Sequence, residues 1–240
     1  SLSRSSHQSQ GFGSTGNRGE ETEYLEFLKG EPLKDKTNIF EGIDTSWNRV
    51  KGGKLIGDEI SKIIKNYDFN NPSASIGDLV KVYGMIQNLK EDHWKPIKSN
   101  EIIKIIGHCS GLYLEAVAEN QQATRGTNLK VKLEAINRST IPMVINSIKT
   151  NENVSVLPKP LVLKNNISNS LDIEMTLTPT TDFTQPYWLK EKGTVGMYRV
   201  NEQTIIGTPD VIRQIKVIFN IVINNTTLPF ERTVIYKYND

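Results

Sequence analysis

The spacing of apolar residues changes at Gly111, and no single kind of secondary structure satisfies both spacings. Upstream, Ile56, Ile60, Ile63, Ile64 and Tyr67 recur at the 3.6-residue period of a helix. From Gly111 to Ser139, in GLYLEAVAENQQATRGTNLKVKLEAINRS, the period is two. Leu112, Leu114, Ala116 and Ala118 share one face, and Leu129, Val131, Leu133 and Ala135 alternate with Lys130, Lys132 and Glu134. Thr124-Arg125-Gly126 between the two runs has turn chemistry. This seam predicts an α+β chain, with helices before Gly111 and an all-β sandwich after it.

The helical part contains two further stripes. Asn71-Pro72 reads as a cap followed by proline, ahead of Ile76, Leu79, Val80, Tyr83, Ile86 and Leu89. A third stripe starts between Asp92 and Pro96 and runs through Ile102, Ile103, Ile106 and Cys109 to a stop at Gly111. Beyond the seam the clearest strands are PMVINSIKT, SLDIEMTLT, QIKVIFNIVI and LPFERTVIYKY, the last two joined by Asn224-Asn225-Thr226. About seven strands with long-range connections predict an immunoglobulin-like antiparallel β-sandwich of the wider class, since the single Cys109 leaves no disulfide across it. Residues 1–20 read as polar loop. Tyr24, Leu25, Phe27 and Leu28 predict a short strand or one helical turn, and Phe40, Ile43 and Trp47 predict packing beneath irregular backbone.

The charges nearly balance, 29 Lys and Arg against 27 Asp and Glu, with no dense basic run. The expectation is therefore no nucleic-acid partner. No apolar run approaches the roughly 20 residues that span a bilayer, so no membrane span is expected. His7, His93 and His108 are scattered without metal-ligand spacing, and neither a nucleophile elbow nor a phosphate-binding loop is present. This predicts a chain with no metal and no catalytic residue of its own. The Asn-x-Ser/Thr triplets at Asn137 and Asn153 are explained by the abundance of Asn. Both ends are abrupt, which predicts a piece cut from a longer protein.

Two clusters remain as candidate binding residues. In SHQSQGFGSTG, His7 and Gln10 belong to a polar group before flexible glycines, which suits either a site or a plain loop. In Gln185-Pro186-Tyr187-Trp188-Leu189, Tyr187 and Trp188 suit either a ligand platform or a core anchor. An exposed aromatic strip would mark a binding module, and buried aromatics a structural one.

Taken in order, SRSSHQSQGFGSTGNRGEETEYLE, NIFEGIDTSWNRV, GLYLEAVAE with EAINRS, QPYWLKEKGTVGMY and VIYKYND resemble the long bacterial members of the PIG-L (LmbE-like) de-N-acetylase family. The resemblance extends over nearly the whole chain. It implies a parent enzyme that uses zinc to hydrolyse N-acetyl groups of N-acetylglucosamine-type substrates. The zinc lowers the pKa of its water and polarises the acetyl carbonyl, with an acidic side chain as base. The family's AHPDDE-type metal motif and later histidine cluster are absent here, so no ligand carries over to a residue of this chain. The resemblance then implies residues 1–50 as the tail of a Rossmann-like catalytic domain, 51–110 as a three-helix connector and 111–240 as the sandwich. The implied partners are the parent's own catalytic domain and a glycan, and the implied location is periplasmic or secreted. The alternatives are a glycan- or protein-binding module with no enzymatic role, and a purely structural accessory domain.

Overall fold

The computed structural model describes residues 2–11, 19–150, 154–209, 211 and 213–238. The Phe12-Gly13 step and Asn153 lie outside them. The chain forms two compact units, residues 1–43 and 44–240.

In the first unit the polar start is helical where a loop is predicted. It forms α1 (Leu2–Ser6) and a 3-10 turn at Gln8–Gln10, closed by Gly11 at φ 91°. Beyond it the Glu41 carboxylate accepts from the backbone N–H groups of Lys34 and Asp35. Residues 24–28 form neither strand nor helix, and Tyr24, Leu25, Phe27, Leu28, Phe40 and Ile43 are all exposed. Packing beneath irregular backbone is thus corrected for Phe40 and Ile43. A local turn cannot bury a large side chain without a second layer, and this unit has no buried residue among those described.

The second unit opens with a 3-10 turn at Trp47–Arg49. Trp47 packs onto glycines: a Cβ on Gly53 would lie 2.4 Å from the Trp47 carbonyl oxygen, and one on Gly57 would lie 3.2 Å from Trp47 Cβ. Three helices follow: α2 (Lys54–Lys65), α3 (Ile76–Gln87) and α4 (Trp94–Cys109). Pro72 opens a separate 3-10 turn, Pro72–Ser75, and α3 starts behind it without an Asn71 side-chain cap. The Glu91 carboxylate caps α4, accepting from the N–H groups of His93, Trp94 and Lys95. At its far end α4 closes in a Schellman motif, with Gly111 N–H bonded to the His108 carbonyl and Leu112 N–H to the Gly107 carbonyl. Gly111 has φ 58°, a conformation other residues rarely adopt. Helix gives way to strand between Cys109 and Tyr113.

Seven strands follow: β1 (Tyr113–Ala118), β2 (Asn128–Ile136), β3 (Met143–Thr150), β4 (Val154–Leu163), β5 (Asn169–Thr176), β6 (Lys216–Ile223) and β7 (Thr226–Thr233). They form two antiparallel sheets, ordered β1-β2-β5 and β4-β3-β6-β7. Pairing of Ala116 with Leu133 and Phe219 with Phe230 sets every second residue on one face, and those residues are buried. β3 starts with Met143 and Ile145 inward, and an irregularity between Ile145 and Ser147 shifts the parity so that Ile148 and Thr150 are buried next. β6 and β7 join through Asn224 and Asn225, at φ 47° and 60°, the two positive values of a type I′ hairpin.

The helices rest on this hairpin. A Cβ on Gly107 of α4 would lie 3.4 Å from the Phe230 ring of β7, and one on Gly77 of α3 3.6 Å from Asn224 Nδ2. Buried residues of helices and sheets form one apolar core. The first sheet is tied to the second unit's end by Ala118 N–H donating to the Ile235 carbonyl at 2.8 Å and Arg232 Nε to the Leu114 carbonyl at 3.0 Å. At another corner Asn137, 1% exposed, donates to the carbonyls of Ile141 and Leu163 and accepts from the N–H and hydroxyl of Ser139. Its triplet therefore serves a buried polar knot. No helix among the described residues is long and apolar enough to cross a membrane.

Candidate functional site

Four segments that are remote in sequence end at one side of the sheet pair and enclose a hollow of about 820 Å³. Asn120 to Arg125 follow β1, Thr181 to Thr184 follow β5, Arg213 to Ile215 precede β6, and Val234 to Tyr238 follow β7. The antiparallel order of the strands brings these loops together, because each one starts or ends at this side.

The Arg125 guanidinium lies over the Phe183 ring, its carbon 3.6 Å from the ring centroid. Its Nε is buried and has no hydrogen-bond partner among the described residues. Tyr236 and Tyr238 meet edge to face at 5.1 Å, and Gln121 Nε2 donates to the Tyr238 hydroxyl. Asp182 is 2.9 Å from Lys190, and that bond, with the Lys190 charge, holds its carboxyl below the usual range. The hollow thus combines amides, phenols, an aromatic face and guanidinium groups, which suits a polar ligand with many hydroxyls.

A second hollow, about 450 Å³, has the opposite character. It lies between α2, α3 and α4 and is lined by Ile60, Ile63, Ile64, Tyr67, Phe69 and Ile105 among others. Cys109 lines it too. Burial pushes its thiol up, against a hydrogen bond from Tyr67, so it remains protonated at neutral pH.

The four sequence-predicted site residues fall in different places. His7 and Gln10 are exposed in the first unit, where His7 Nδ1 is 2.7 Å from the Ser3 carbonyl and Gln10 N–H donates to the His7 carbonyl. Tyr187 and Trp188 form a half-buried 3-10 turn in the second. Tyr187 pins a neighbouring loop, its hydroxyl accepting from the Gly207 N–H at 3.0 Å. Trp188 and Tyr198, 6.4 Å apart, line a third hollow of about 440 Å³. Sequence reasoning missed Arg125, Phe183, Tyr236 and Tyr238. The one signal in the chain was the alternation of two tyrosines in Tyr236-Lys237-Tyr238, which sets both on one side of an extended segment.

The zinc implied by the resemblance finds no fitting donor set among the described residues. Among the described residues no group of three or more His, Cys, Asp or Glu side chains converges on one point. His7 and His108 are exposed, and His93 stacks edge-on against Trp94 at 4.7 Å. A tetrahedral zinc needs three or four protein ligands together.

No model of a known protein family matches the chain, and neither does any curated protein. Among solved structures it is similar to the Pseudomonas fluorescens alkylpurine DNA glycosylase AlkC bound to DNA containing an abasic site analog. The identity is 10% and the TM-score 0.25, over 73% of this chain and 50% of that one. The chain spans half the length of that protein, and a likeness this shallow carries no argument.

Proposed function

We propose that this chain is the non-catalytic accessory region of a PIG-L (LmbE-like) de-N-acetylase, and that its sheet pair is an immunoglobulin-like sandwich that binds glycan. The observation that carries the binding reading is the hollow of about 820 Å³ at one side of the sheets, with Gln121, Arg125, Phe183, Tyr236 and Tyr238 on its walls. Phe183 is 65% exposed and Tyr238 67%, as a strip of aromatics that meets a ligand requires. Chemistry stays with the parent, where zinc supplies the activated water; the chain's own residues contribute binding. Alternate burial in both sheets and the Asn137 knot support the sandwich.

A chitotetraose titration followed by amide NMR tests the binding reading. Shifts should concentrate at residues 120–125, 181–184 and 234–238, and Tyr238→Ala should weaken binding by about tenfold. No shift at millimolar sugar, or shifts elsewhere only, would refute it.

A covering role is the second reading, and a different observation favours it. Tyr24, Leu25, Phe27 and Leu28 are exposed in the first unit, an apolar patch that a neighbouring catalytic domain would cover. In the parent, His7 and Gln10 would then stand at the mouth of its cleft and offer hydrogen bonds to substrate. His7→Ala in the full-length enzyme should lower kcat/KM by more than about twofold. A smaller change makes the segment a connector.

A further inference from the structure

We propose that the hollow at the end of the sheets selects saccharides that carry a carboxylate. The inference rests on the glycan reading and narrows its ligand class. Its basis is an imbalance of charge. The walls carry Arg125 and Arg213 against Asp182. Asp182 is paired with Lys190 at 2.9 Å and also feels the Arg125 charge, so this single carboxylate is shared between a lysine and an arginine. Among the described residues neither Arg125 nor Arg213 is in direct ion-pair contact with a carboxylate. Lys237, between the two tyrosines, is 2.6 Å from Glu115 and is itself neutralised.

Arg125 is also held in position. Its guanidinium is stacked at 3.6 Å on the Phe183 ring, which fixes the plane, and its Nε is buried. Two terminal nitrogens are left to serve a ligand at the wall. A planar fork of this kind matches the two oxygens of a carboxylate, and its stacking partner makes it costly to replace by lysine. The remaining walls fit the rest of a sugar. Gln121 and Gln122 offer amides to hydroxyls, and Tyr236 and Tyr238 offer ring faces. An inorganic anion would use the arginines and leave the amides and tyrosines idle. A neutral sugar would leave the two guanidinium charges only partly countered by Asp182. The hexuronate class uses both sets.

Calorimetric titration of the whole chain at low ionic strength tests this, with tetragalacturonate and chitotetraose as probes. Tetragalacturonate should bind at least about tenfold tighter than chitotetraose, and Arg125→Gln and Arg213→Gln should each remove about tenfold of that preference, read as the ratio of the two affinities. Both side chains are on loops, and an unchanged melting temperature shows each variant is folded. Equal affinity for the two probes overturns the inference and leaves the glycan reading standing. So does a preference for tetragalacturonate that survives both substitutions, because the charge would then be read elsewhere. Binding of neither probe overturns both.

Discussion

The sheet pair and the helical layer of the second unit differ in how completely they cover their apolar faces. In the sheets, Leu133, Phe219 and Ile221 are fully buried, and cross-strand partners fix the parity of every neighbour. In α2 the stripe starts buried at Ile56 and ends with Ile64 71% exposed, while Phe69 just beyond is 87% exposed. A ladder of backbone hydrogen bonds commits a whole strand to one register, so one covered residue implies the next. A helix satisfies its backbone internally, so each turn can be covered or left open independently. The uncovered end of α2 is one wall of the apolar hollow between the helices. The two hollows of this unit thus arise in different ways. One is where a helix stripe outruns its cover, and the other is where loops between closed sheets converge.

If the sheets hold the structure, the largest loss should come from their middle. Phe219→Ala removes a fully buried ring and should cost about 4 kcal/mol in denaturant unfolding. A cost below about 1 kcal/mol would show that the sheet interior can collapse onto the gap, and the contrast with the helices would fail.

The next effect belongs to the corner where Asn137 links the end of β2 to the end of β4. Asn137→Ala leaves the Leu163 and Ile141 carbonyls and the Ser139 N–H without their partner in a buried setting, and should cost about 3 kcal/mol. Asn137→Asp should destabilise as well, since a carboxylate cannot donate to those carbonyls.

Acid separates the two regions by another route. Slight burial pushes the Glu91 carboxyl up, but the N–H groups of Lys95, His93 and Trp94 outweigh it and hold the group below its ordinary value of 4.5. A carboxylate whose folded pKa is depressed contributes stability above its unfolded pKa. That contribution is lost as pH falls through the lower, folded value. Glu91→Gln should therefore lower the melting temperature at pH 7, and the gap to the unmodified chain should close as pH falls below about 4. A gap that is constant with pH would mean that the carboxylate charge does not hold the start of α4.

The strand parity of β1, β2, β6 and β7 was legible in the sequence because burial on one face repeats every second residue. β4 was not among the clear strands. It carries Pro158 and Pro160 and runs along the edge of its sheet, where missing N–H groups are tolerated. For α2, α3 and α4 the period identified the apolar face, but a period carries no information on whether a face is covered. The site followed the same division. Trp188 stood out as part of an aromatic step, whereas Arg125, Asp182, Arg213 and Tyr238 belong to four loops that only the strand order unites. Separation in sequence hid them, and no local pattern marks a charge that lacks a direct ion pair.

The smallest effect tests the open end of α2. Ile64→Ala removes a side chain that is 71% exposed, and such positions usually change stability by within about 0.5 kcal/mol. Ile56, two turns earlier on the same stripe and 1% exposed, should cost about 3 kcal/mol as Ile56→Ala. The ratio matters more than either value. Both substitutions remove the same atoms from the same helix and change its intrinsic propensity alike, so the difference isolates cover alone. If Ile64→Ala costs as much as Ile56→Ala, the outer wall of the apolar hollow is closed in solution by something that packs on α2. The helical layer would then be as fully covered as the sheets, and the contrast between them would disappear.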